Sequence, residues 1–197
     1  MDEQGFKADL HRYLRTAREA VLWKLEGLSE YDVRRPLVPT GNNLLGMVKH
    51  LAGVEFGYFG ATFGRPSPDE PSYDFDADPN AEWVAGPDQS RDFIIGLYRK
   101  AWVHSDATIE ALPLDATGQV PWWLRERNPV TLHRILIHVI AETDQHRGHA
   151  DVIRELIDGA AGLRSGVPNL GAETEEGRRA FYNRVERAAR EASRLSG

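Results

Sequence analysis

Apolar residues fall at helical spacing over four long stretches of this chain, which leaves it few ways to fold. Over residues 4–27 they stand at Phe6, Leu10, Tyr13, Leu14, Ala17, Val21, Leu22 and Leu25. This is the i, i+3, i+4 pattern of a helix with one buried face, and Gly27 supplies a stop. A turn-rich link with Pro36, Pro39 and Gly41 follows, and Asn42 or Asn43 caps a second helix running to about residue 63. That helix carries Gly46, Gly53, Gly57 and Gly60, each costing about 1 kcal/mol relative to alanine, so a closely approaching neighbouring helix is expected as compensation. Residues 64–87, rich in Pro, Asp and Ser, read as a long acidic surface loop with short aromatic anchors.

A third helix is expected over residues 88–112, with Phe93, Ile94, Leu97, Ala101 and Ile109 as its stripe and Pro113 as its stop. Val120-Pro121-Trp122-Trp123 reads as an aromatic loop or short extended piece. Asn128-Pro129 then reads as an N-cap followed by proline at the first helical position of a fourth helix, which runs to Asp158 and closes at Gly159. Thr174, with Glu175 and Glu176 in the first turn, opens a final, strongly charged helix to about residue 195. Strand signals are confined to short pieces and no internal repeat is present. The fold class is all-α: a four-helix bundle with an additional C-terminal helix, formed by residues 1–197 as a single domain.

Two of these helices carry metal-capable side chains inside apolar sequence. Glu142 and His146 lie four residues apart, one above the other on a helix face, and His50 on the second helix completes a three-ligand set with an open position. Two imidazoles and a carboxylate suit zinc, nickel, manganese or iron, with zinc the simplest choice. Histidines that merely pack in a core fit the same pattern. His138 and His149 extend the stripe; His138 reads as a buried or supporting group, and His149 as a supporting donor, a catalytic proton carrier or a solvated side chain. Asp144 and Arg147 point away from this face and suit an exposed salt bridge, while His11, His104 and His133 show no partner. Trp122 and Trp123 either line a pocket mouth or cover helix ends.

Charge and composition narrow the functions. The formal net charge is −6, which argues against a nucleic-acid surface. No apolar run approaches the ~18 residues of a membrane span. The acidic start Met1-Asp2-Glu3 lacks the order of a signal peptide, so a cytoplasmic protein is expected. There is no cysteine, so any thiolate chemistry must use a thiol brought in as substrate.

Three stretches carry a family resemblance: residues 41–55 (GNNLLGMVKHLAGVE), Val120-Pro121-Trp122-Trp123 through Asn128-Pro129-Val130-Thr131-Leu132, and residues 138–151 (HVIAETDQHRGHAD). In these the chain resembles the DinB/YfiT-like superfamily, in particular its actinobacterial branch related to mycothiol-dependent enzymes. The resemblance implies a DinB-like up-down-down-up four-helix bundle, frequent homodimers, and a divalent ion held by His50, Glu142 and His146. The middle ligand is often histidine in the superfamily; a His-Glu-His set resembles its mycothiol-dependent isomerases and transferases. The function expected is a metal-dependent transferase in which a small thiol, mycothiol by resemblance, ionises at the open position and attacks an electrophilic substrate. A metal-dependent hydrolase using His149 or Asp144 as proton carrier, and a non-catalytic, metal-stabilised stress-associated binding protein, are the alternatives.

Overall fold

The computed structural model describes residues 2–167 and 174–195. Its helices are α1 (Glu3–Trp23), α2 (Glu30–Arg34), α3 (Leu44–Phe59), α4 (Arg91–Ala111), α5 (Leu132–Asp158) and α6 (Glu175–Leu195), and a two-stranded sheet joins β1 (Thr117–Gly118) to β2 (Val130–Thr131). The chain is therefore all-α in class, with α3 packed on α4, α1 on α5, and α3 on α5. Among the described residues, no helix is long and apolar enough to cross a membrane.

Local sequence accounts for the helix ends. Asn43 Oδ1 accepts from Gly46 N at 2.7 Å, Ser90 Oγ from Phe93 N at 3.1 Å, and Thr174 Oγ1 from Gly177 N at 3.1 Å. Gly159, in the left-handed region at φ 79°, closes α5. Two expected starts move. The third long helix begins at Arg91 rather than 88, because Ser90 provides the cap. The fourth long helix begins at Leu132, capped by Thr131, and not at Pro129. Asn128 spends its side chain elsewhere: Oδ1 accepts from Val120 N (2.9 Å) and Nδ2 donates to Val120 O (3.2 Å), while Val130 and Thr131 pair with β1. The proline follows a cis peptide bond. The short helix α2, capped by Ser29, lies within a link that carried no helix signal strong enough to read.

Every residue of α3 except Gly53 is buried, so this helix has no solvent face. Gly46, Gly53 and Gly57 are approached by loops and not by a neighbouring helix, whereas Gly60, just past its end, lies against His104 of α4. A Cβ on Gly46 would come within 2.1 Å of the Trp83 carbonyl, and one on Gly57 within 2.7 Å of the Trp122 ring.

A helix buried all round must still pair its polar groups. Glu55 is fully buried and meets the Arg18 guanidinium of α1 through two oxygens, at 2.7 and 2.6 Å. The same guanidinium reaches Asp106 of α4 at 2.7 Å, and Asp106 also takes His11 Nε2 at 2.8 Å. Arg18 thus links three helices in one charge-assisted network, and His11, which had no evident partner in sequence, belongs to it. By contrast, no residue of α6 is buried.

Replacing Glu55 with alanine leaves the Arg18 charge buried with Asp106 as its remaining carboxylate. The expected loss is about 3–5 kcal/mol in urea unfolding; a loss below ~1 kcal/mol would show that water or Asp106 alone satisfies Arg18.

Candidate metal centre and pocket

The α3–α5 contact brings together the three residues singled out in the sequence. Donor atoms of His50, Glu142 and His146 all lie within 4.8 Å of one another. Glu142 Oε1 stands 3.2 Å from His146 Nε2 and 3.6 Å from His50 Nε2. Two donors that each sit ~2.1 Å from one tetrahedral ion are about 3.4 Å apart, so these separations match the spacing of a ligand set. Both ring nitrogens of His50 and Nδ1 of His146 are buried without a hydrogen-bond partner, which is the state expected of imidazoles that answer to a ligand. The hydrogen bond with His146, and then the nearby His50 imidazole, hold the Glu142 carboxyl far below the usual carboxylate range, so it is an anion here.

Residues 64–90 fold over this set. Trp83 stacks on His50 with ring centroids 4.0 Å apart and 16° between planes, and it also lies 5.3 Å from His146. Glu82 Oε2 is 3.1 Å from His50 Nδ1 but off the line of a formed hydrogen bond. The loop is held in place from α3 itself. Lys49, 4% exposed, donates to the carbonyls of Ala81 (2.8 Å) and Val84 (2.7 Å), which flank Glu82 and Trp83. Arg34 of α2 binds the far end of the loop through the carbonyls of Ala85, Gly86 and Gln89.

A pocket of about 500 Å³ opens onto the site and is lined by His50, Glu142 and Glu82 together with Tyr58, Tyr73 and Trp122. The α3 positions facing it include Gly53 and Gly57, which leave room for the rings above. Trp122 therefore lines the pocket, whereas Trp123 covers Tyr58, donating from Nε1 to its hydroxyl at 3.1 Å. The same hydroxyl lies 3.0 Å from His138 Nε2. Burial, helped by Arg127 and Arg134 and opposed by Glu142, holds His138 below its ordinary pKa.

Other singled-out residues fall outside the pocket wall. His149 is exposed, with its ring 5.9 Å from that of His146. Asp144 pairs with Arg147 at 3.1 Å, as the helical geometry suggested. His133 is exposed, and His104 packs near Phe56 with its Nε2 unpartnered. Sequence reasoning missed Glu82, Trp83, Lys49 and Tyr58. The available signal was a Glu-Trp pair in an otherwise acidic, proline-rich loop, and a lysine beside His50 in an apolar helix.

Lys49→Met keeps the apolar stem and removes both loop anchors. Amide exchange over residues 64–90 is expected to rise by about tenfold or more, with α1 and α5 unchanged; unchanged loop protection would show that Arg34 and packing suffice.

No curated protein matches the chain. A family model described as mycothiol-S-transferase matches residues 9–159, which takes in most of α1 and all of α2 through α5 and leaves α6 outside. With that match spanning most of the chain, the protein belongs to the mycothiol-S-transferase family of DinB/YfiT-like proteins.

Proposed function

We propose that the protein is a divalent-metal-dependent S-transferase, with zinc as the simplest metal and mycothiol as the thiol. His50, Glu142 and His146 hold the ion, and residues 1–197 act as one domain to which α6 is appended. The observation that carries the reading is the convergence of three donor atoms, at 3.2 and 3.6 Å around Glu142 Oε1, beside an aromatic pocket. The family supplies the transferase and the thiol.

A bound divalent ion would supply acidification, leaving ionised at neutral pH a thiol whose free pKa is ~8.5. The remaining work falls to the chain. Glu142 contributes one negative charge to the set, keeping it less positive than three imidazoles would. The negative charge of Glu82 Oε2, 3.1 Å from His50 Nδ1, favours the tautomer with its proton on Nδ1 and so leaves the Nε2 lone pair on the Glu142 side. Trp83 fixes the plane of the same ring and shields both imidazoles from water. His138, kept neutral by burial, is the lining imidazole outside the donor set and takes the thiol proton. The protein has no cysteine to compete as a nucleophile.

The hydrolase alternative is weaker on geometry, since Asp144 is engaged by Arg147 and His149 lies outside the pocket lining.

Elemental analysis should find about one divalent ion per chain, lost in His146→Ala together with thiol transfer; transfer retained without metal would refute the proposal. Glu82→Ala should lower metal affinity by about ten- to a hundredfold at unchanged helicity, and Glu82→Gln, which keeps an acceptor oxygen, should recover most of it. Equal affinity in Glu82→Ala would reduce that residue to pocket lining.

A further inference from the structure

The pocket carries a second message in its charges. Among the described residues its lining includes the carboxylates of Glu70, Glu82 and Glu142, the rings of Tyr58, Tyr73, Phe75 and Trp122, and neither lysine nor arginine. Three basic groups of the surrounding elements are turned to other partners. Lys49 is spent on the carbonyls of Ala81 and Val84, and Arg127 and Arg134 lie over the Trp123 ring, at 4.3 and 5.2 Å from its centroid. Three carboxylates outweigh one divalent ion, and a bound thiolate adds a further negative charge. Burial raises the Glu70 carboxyl above its ordinary value; as a carboxylate it adds to a field that Glu82, Glu142 and the thiolate already turn negative against one divalent ion. An anionic second substrate would enter against that field, and no cation in the wall would receive it. Aromatic faces beside carboxylates suit an apolar or positively charged body instead.

We propose that the electrophile taken by this site is uncharged or cationic, with an apolar body that lies between the Tyr73 and Trp122 walls, and that Glu70 enforces the exclusion of anions. This rests on the thiol-transfer reading above and names the substrate class for it. With an alkyl halide as electrophile, the thiolate sulfur forms a bond to carbon as the carbon–halogen bond breaks. The halide leaves with the electron pair, the thiol proton having departed at ionisation.

The test uses two matched sets on the zinc-loaded protein. With mycothiol as thiol, iodoacetamide and iodoacetate differ in charge at nearly equal size, and each enzymatic rate is divided by the uncatalysed rate with the same thiol. The enhancement should be at least about tenfold greater for iodoacetamide, and Glu70→Gln should narrow the gap. Independently of turnover, ligand-observed NMR should show benzyltrimethylammonium binding at least about tenfold tighter than phenylmethanesulfonate, again with a smaller ratio in Glu70→Gln. Transfer that favours iodoacetate, or sulfonate binding as tight as the ammonium, overturns the inference and leaves thiol transfer standing. Charge-selective binding without transfer of either reagent upholds the pocket's selectivity and overturns the transferase reading instead.

Discussion

The complete burial of α3 is the constraint from which the rest of the molecule follows. An apolar helix without a solvent face has no difficulty with its leucines; its difficulty is Lys49, His50 and Glu55, each of which must find a partner inside the protein. The three solve this in different directions. Glu55 takes Arg18 and so joins α1 and, through Asp106, α4. Lys49 takes two carbonyls of the long loop. His50 alone ends with both ring nitrogens buried and unbonded, facing Glu142 and His146. Bundle cohesion, loop placement and the candidate centre are thus three answers to one problem of polar satisfaction.

That arrangement also explains a division of labour. The prospective ligands sit on two helices whose spacing is set by close packing, where small shifts are costly. The outer walls of the pocket, facing α3 and α5, come from residues 64–90 and from the segment bearing Trp122, which are held by side-chain anchors and by contact with glycines of α3. On the proposed reading, the prospective ligands belong to the close-packed helices and much of the recognition surface to loops.

What could be read in the sequence follows the same line. His50, Glu142 and His146 were legible because a helix fixes the i, i+4 relation and because polar residues in apolar helical sequence call for a reason. The glycines of α3 announced a close approach, but its source, the Trp83 carbonyl and the Trp122 ring, comes from loops whose paths no periodicity encodes. Asn128-Pro129 misled because asparagine before proline marks a helix start and a tight turn equally well; only the reciprocal bonds to Val120 decide between them. Glu82 was invisible for a plainer reason: its relation to His50 exists through the Lys49 anchors and nowhere in local spacing.

The Lys49 anchors have one more consequence, in the timing of events at the pocket. Glu82 and Trp83, which order His50, belong to the same stretch of loop that walls the cavity. An opening of that stretch wide enough to release a bulky product would withdraw both from the imidazole at the same moment. Exit from the pocket and relaxation of His50 would then cross a single barrier, and a tighter lysine clamp would slow product departure to the degree that it steadies the histidine.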